Sequence, residues 1–192
     1  MELLKVTLKG ETPILMHNGR LSNPLDEATK KLKALTSKKS KTDNDHAEIA
    51  RAEWEGGLYI DEDGPYIPCD NLEACIKGGA TVQKLGKKFG SAVTVVEDRI
   101  PLQYKGPRDA DGLWKSKFYD VRGVVVSSKR IQRCRPIFKE WSAAFTVAFD
   151  PQDVDSRQVV KALVDAGRAV GLFDRRPQRG GRFGKFLVVI EA

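Results

Sequence analysis

Cysteine is scarce in this chain of 192 residues: Cys69, Cys75 and Cys134 are an odd number and lack C-x-x-C spacing. That argues against a disulfide framework and a zinc ribbon, and reads the three thiols as small core fillers. Long apolar runs are missing as well. No stretch approaches the ~20 residues of a membrane span, and the start Met1-Glu-Leu-Leu-Lys-Val-Thr7 reads as a strand rather than a signal peptide, so a cytoplasmic location without membrane contact is expected. Catalytic signatures are equally thin. The chain has no Walker loop, no G-x-S-x-G, no H-E-x-x-H and no internal repeat. Asp61, Glu62 and Asp63 fall in a turn and Asp109 and Asp111 at a loop tip, without calcium-loop spacing. No metal or cofactor is expected.

What the chain does have is positive charge, unevenly placed. Residues 1–120 hold 19 Lys and Arg against 19 Asp and Glu, whereas residues 121–192 hold 14 against 7, so the whole net charge of +7 lies in the last part. A basic third of this kind points to a polyanion, nucleic acid before anionic membrane. The densest feature is Gly171-Leu-Phe-Asp-Arg-Arg-Pro-Gln-Arg-Gly-Gly-Arg-Phe-Gly184, with four arginines among glycines between a helix and a closing strand. Glycine lets backbone approach a ligand and guanidinium forks match anionic oxygens, so the loop is a phosphate-contacting candidate; an ordinary solvated connection is the alternative.

Length favours one domain, 1–192, with decorations. Residues 3–9 alternate as a strand, and Phe145 and its neighbours from Trp141 to Phe149 form the clearest strand of all. Residues 17–57 read as a helical insertion, its first helix from Pro24 and its second capped by Asp45-His-Ala-Glu48. A short hairpin at 58–67 precedes a helix capped by Asp70-Asn-Leu-Glu73, and Asp155-Ser-Arg-Gln158 caps a later one. Residues 93–126 read as a long hairpin with Trp114 at an exposed tip, where a base stacks on the indole beside Lys115. Trp114 folded back into the core is the competing reading. Residues 127–136, basic on both faces, read as an edge or loop-like segment, and Phe186–Ile190 as a central, doubly covered strand. In sum the elements fit an α+β fold, a ferredoxin-like or RRM-like antiparallel sheet core with a helical insertion and a long hairpin.

Tyr66-Ile-Pro-Cys-Asp-Asn-Leu-Glu-Ala-Cys-Ile76 resembles the apolar-Pro-Gly-Ser-Ser-Leu-Lys-Gly segment of the RAMP superfamily, which builds the backbone of CRISPR effector complexes. The Gly171–Gly184 loop resembles that superfamily's glycine-rich loop, residues 93–126 take the place of its thumb, and residues 17–57 that of its helical insertion. Arg135-Pro136, Trp141 and Gly181-Arg182-Phe183 are similar to a pattern of small phage-encoded proteins. The resemblance implies a stand-alone phage relative acting in the host cytoplasm. It implies a non-catalytic protein that binds single-stranded RNA or DNA and assembles as a homo-oligomer along the strand or within a CRISPR-type assembly.

The nucleic-acid-binding candidates are therefore Lys129, Arg130, Arg133, Arg135, Arg175, Arg176, Arg179, Gly180, Gly181 and Arg182, with Trp114 and Lys115 at the hairpin. Two other readings stand beside this one. A metal-independent RAMP endoribonuclease would use His17 or His46 as general acid or base, and a phage decoy or structural protein would act through protein contacts.

Overall fold

The computed structural model describes residues 1–126 and 128–190, with Val126 and Lys129 described by backbone alone. In chain order its elements are β1 (Glu2–Gly10), β2 (Ile14–Leu15), α1 (Glu27–Thr36), α2 (Asp43–Gly57), β3 (Ile60–Asp61), β4 (Gly64–Pro68), α3 (Cys69–Val82) and α4 (Gly86–Ala92). There follow β5 (Val93–Val95), β6 (Arg99–Pro101), α5 (Ala110–Lys115), β7 (Tyr119–Val126), β8 (Lys129–Phe138), β9 (Ser142–Phe149), α6 (Ser156–Asp165) and β10 (Phe186–Ile190). Helices and antiparallel sheets mix as an α+β fold.

The largest sheet has the order β10-β1-β9-β5, antiparallel throughout. Alternation along β1 decides its faces: Val6 and Leu8 are buried, and Lys5 and Lys9 are exposed. Val6 lies opposite Phe145 and Ile190, so apolar residues from the first, ninth and tenth strands stack on one side. The apolar positions of α3 (Leu72, Cys75, Ile76, Ala80) and of α6 (Val159, Ala162, Leu163) join the same cluster. Each fully buried Leu, Val or Phe contributes roughly 1.5–3 kcal/mol. The two helices approach closely, because Gly79 sits directly against Ala162 and Ala166. On the other side Leu3, Ala144, Leu187 and Val189 are exposed with the two lysines.

Local signals placed several elements correctly. The Asp155 carboxylate accepts from the Gln158 N–H at 2.8 Å while the Gln158 side chain accepts from the Asp155 N–H at 3.0 Å, the reciprocal cap expected for α6. Elsewhere the structure corrects the sequence reading. The cap of α2 is Thr42 with Asp45, three residues before the expected box. Helix α3 starts at Cys69 behind Pro68 with no side-chain cap, and Glu73 instead accepts from the Thr94 hydroxyl and the Val95 N–H. Strand β10 is an edge strand, open on one face, rather than a central one.

The expected thumb-like hairpin at 93–126 is not formed. Val93–Val95 pairs with β9, Arg99–Pro101 pairs with β4, and α5 starts at an Asp109 cap whose carboxylate accepts from the Gly112 N–H at 2.8 Å. The long ribbon is β7–β8, in register from Tyr119 opposite Pro136 to Val126 opposite Lys129. Residues 129–138 are thus a full strand, paired along β7 and briefly with β2, and not a loop-like segment. Alternation marks a strand but does not name its partner, and here partners lie far away in sequence. Among the described residues no helix is long and apolar enough to cross a membrane.

Candidate functional site

The Gly171–Gly184 loop does not float over the surface. Its Gly184 N–H donates to the Pro13 carbonyl at 2.8 Å and its Asp174 N–H to the Leu15 carbonyl at 3.0 Å, stitching it to the turn after β1 and to β2. Inside the loop, Phe183 N–H donates to the Arg175 carbonyl at 3.1 Å and Gly181 N–H to the Arg176 carbonyl at 3.0 Å. The fold is so tight that a Cβ on Gly181 would stand 1.7 Å from the Arg175 carbonyl oxygen. Phe173 and Arg175 take positive φ, +61° and +51°, a conformation that costs roughly 1–3 kcal/mol for a non-glycine residue. In this conformation Arg175 is exposed while Leu172 and Phe173 stay buried.

Facing the loop is the β7–β8 ribbon, and between them opens a cavity of about 610 Å³. Arg133, Arg135, Arg175, Arg179, Gly180 and Gly181 all line it, together with Val124 and Val125 of β7, Glu53 of α2, Leu21 and Leu32 of the insertion, His17 and Asp174. A second cavity of about 420 Å³ shares His17 and Asp174 with the first and adds Tyr59, Asn71, Phe173, Arg176 and Gln178. His17 and Asp174 thus line both cavities.

Charge in the first cavity is partly matched. Arg133 donates to Glu53 at 2.8 Å, the other Glu53 oxygen accepts from the Cys134 N–H at 2.9 Å, and Arg135 pairs with Asp174. Arg175 and Arg179 have no carboxylate partner among the described residues. Four guanidiniums therefore meet two carboxylates, and the cavity keeps a surplus of positive charge. Arg135 is mostly buried, and its Nε finds no hydrogen-bond acceptor among the described residues. The His17 ring keeps an open edge, but the protein around it withdraws water, which lowers its pKa, and Arg135 lowers it further against the opposing pull of Asp174. Burial pushes the Cys75 and Cys134 thiols up to about 12, so both stay protonated and behave as packing groups.

The remaining candidates part from this site. Arg176 is half-buried, donates to the Phe173 carbonyl at 2.9 Å and lines the second cavity, so it braces the loop. Arg182 and Arg130 are exposed and line neither cavity, and the Lys129 side chain lies outside the described residues. Trp114 is not an exposed platform. Its ring lies 5.3 Å from Trp54 and 4.6 Å from Tyr119, with the Arg51 guanidinium 5.0 Å away, and Lys115 at the end of α5 is exposed and lines neither cavity. His46 is exposed on α2 and lines neither cavity.

Sequence reasoning missed Glu53 and Asp174 as partners of the arginines. Asp174 carried a signal, being the single acid of the Gly171–Gly184 loop; Glu53 carried none, because its partner is 80 residues away. Among the described residues no group of three or more His, Cys, Asp or Glu is placed to hold a metal ion. Chemically the arrangement offers hydrogen-bond donors and unneutralised guanidiniums in an open cleft, the requirements of an oxyanion-binding surface. Compared with models of known families and with curated proteins, the chain matches none at a significant level.

Proposed function

We propose that the protein binds single-stranded nucleic acid, RNA or DNA, in the cleft between the β7–β8 ribbon and the Gly171–Gly184 loop, without catalysing a reaction. The observation that carries this reading is the convergence of Arg133, Arg135, Arg175 and Arg179 on one open cavity with Gly180 and Gly181. Two of the four cations are unpaired, and both are exposed to an incoming phosphate. An unpaired strand suits the site better than a duplex, because the lining is a recessed cleft and not a flat or convex face.

The strand order β10-β1-β9-β5, with α3 and α6 as the two crossing helices, supports reading the core as ferredoxin-like. With the Tyr66–Ile76 segment and the closing loop, it supports a relationship to the RAMP superfamily, and through it assembly of copies along a strand. Fluorescence anisotropy with labelled single-stranded RNA and DNA across salt tests the binding. Log affinity should fall with log salt by roughly 0.7 per phosphate neutralised, and the double variant Arg175→Ala, Arg179→Ala should flatten that slope by about 1.4 for every sequence tried. Binding that ignores both salt and this variant would refute the reading.

One observation favours a second reading, a metal-independent endoribonuclease. His17 lines both cavities, and its lowered pKa favours the neutral ring, the state of a general base. Cleavage of RNA in chelator, lost in His17→Ala with binding retained, would select it over the non-catalytic reading.

A further inference from the structure

A second cationic surface lies away from the cleft, in the basin between the end of α3 and α4. It has a volume of about 580 Å³, and the ionisable side chains lining it are Lys77, Lys84 and Lys87. Thr81 and Ser91 add hydroxyls. None of the three lysines has a carboxylate partner among the described residues, and residues 74–96 contain no Asp or Glu at all. Glu73, four residues before Lys77, is engaged by the Thr94 hydroxyl at 2.6 Å and the Val95 N–H at 2.9 Å. Two glycines also line the basin. A Cβ on Gly86 would stand 2.4 Å from the Thr81 hydroxyl, and one on Gly90 would stand 3.2 Å from the Lys77 ammonium.

The basin is linked by one helix to the second cavity, which shares His17 and Asp174 with the cleft. Ala74 of α3 lines the second cavity, while Lys77 and Thr81 of the same helix line the basin. Spaced by three and four residues, the three share a helix face, and all are exposed. Gly78 between them adds no side chain of its own, and Val170, itself part of the second cavity, packs over it. From Asn71 in the cavity to Thr81 in the basin is about 15 Å of helix, the length of roughly four or five nucleotides of a stacked strand.

We propose that this basin is a second contact for the phosphodiester backbone, gripping the same strand after it leaves the arginine cleft and crosses the exposed face of α3. The inference rests on the reading of the cleft as a nucleic-acid site and adds a path and a minimum strand length. Its test compares an oligonucleotide of about 5 nucleotides with one of about 20 in two variants, Lys77→Gln, Lys84→Gln, Lys87→Gln and Arg175→Ala, Arg179→Ala, by anisotropy at several salt concentrations. The lysine variant should flatten the salt slope of the long strand by about 2 and leave the short strand unchanged. The arginine variant should weaken both. A long strand indifferent to the lysine variant, or equal loss at both lengths, overturns the basin contact, and in the first case leaves the surface to an acidic protein. Failure of the wild-type protein to bind either strand overturns the cleft reading itself.

Discussion

The Arg133 guanidinium donates to the Glu53 carboxylate at 2.8 Å, joining the middle of β8 to a buried position on α2 across 80 residues of sequence. Glu53 also accepts from the Cys134 N–H at 2.9 Å, so one carboxylate both fixes the ribbon and restrains a cation that lines the cleft. Removing it leaves a half-buried guanidinium and a buried amide without their acceptor. Because Arg133 is a third exposed and partly screened, Glu53→Ala should cost about 1–3 kcal/mol, less than loss of a fully buried pair. Glu53→Gln keeps an acceptor for the amide and should cost less. It should also release Arg133 and tighten oligonucleotide binding, a combination that urea unfolding and anisotropy on the same sample would check.

His17 gives the cleft a pH signature. Its folded pKa lies below the ordinary value, first through burial and then through Arg135, so below pH 6.5 the unfolded chain takes up the proton more readily than the folded one. The stability associated with neutral His17 is complete above pH 6.5 and is lost as pH falls through the folded pKa. His17→Gln should remove that component. Urea unfolding of wild type and variant at pH 7.5 and pH 5 should show the wild type losing more stability on acidification.

The closing loop should be intolerant at Gly184. That residue has φ +75°, and a Cβ there would stand 2.1 Å from the Leu172 carbonyl oxygen, which is backbone and has no rotamer to escape by. Gly184→Ala should cost roughly 2–4 kcal/mol, lowering Tm on the order of 5–15 °C for a chain of this size. Gly180→Ala, with no atom within 4 Å of its added Cβ but φ +72°, carries the backbone strain alone and should cost less. Differential scanning calorimetry of the pair separates collision from strain.

Trp114 should matter to stability and not to binding. Its contacts with Trp54, Tyr119 and Arg51 place it at a packing junction, so Trp114→Ala should cost roughly 2–4 kcal/mol. Well below the variant's Tm, affinity for a single strand should stay within about twofold. A larger loss with an unchanged melting curve would return the indole to the binding surface.

The parts of the fold that could be read in sequence were those decided by neighbours. Alternation along Val6 and Leu8 and along Ala143 to Phe149, and the reciprocal cap of Asp155 and Gln158, depend on residues within a turn or a strand of each other. The errors lay where pairing was remote. Val93–Val95 pairs with β9 some 50 residues on, and Arg99–Pro101 with a strand that precedes it, so a run that looked like two arms of one hairpin was divided among three neighbours. In the cleft, the loop arginines and the pair on β8 were visible as charge and glycine, whereas Glu53 and Asp174, which neutralise half of them, are reached only through the fold. The lysine basin stayed hidden for a different reason. Its cations are offset by acids elsewhere in residues 1–120, and an average over that length reads zero.

Strand β1 has a consequence for the birth of the protein. It precedes both strands that flank it, Ser142–Phe149 and Phe186–Ile190, by more than 130 residues, and Pro13 and Leu15 just after it are stitched to residues 184 and 174. Until residues 142–190 have been synthesised β1 has no sheet to enter, and Val6 and Leu8 stay unburied. Closure of so distant a contact is entropically slow, which leaves β1 in need of shielding until its partners emerge.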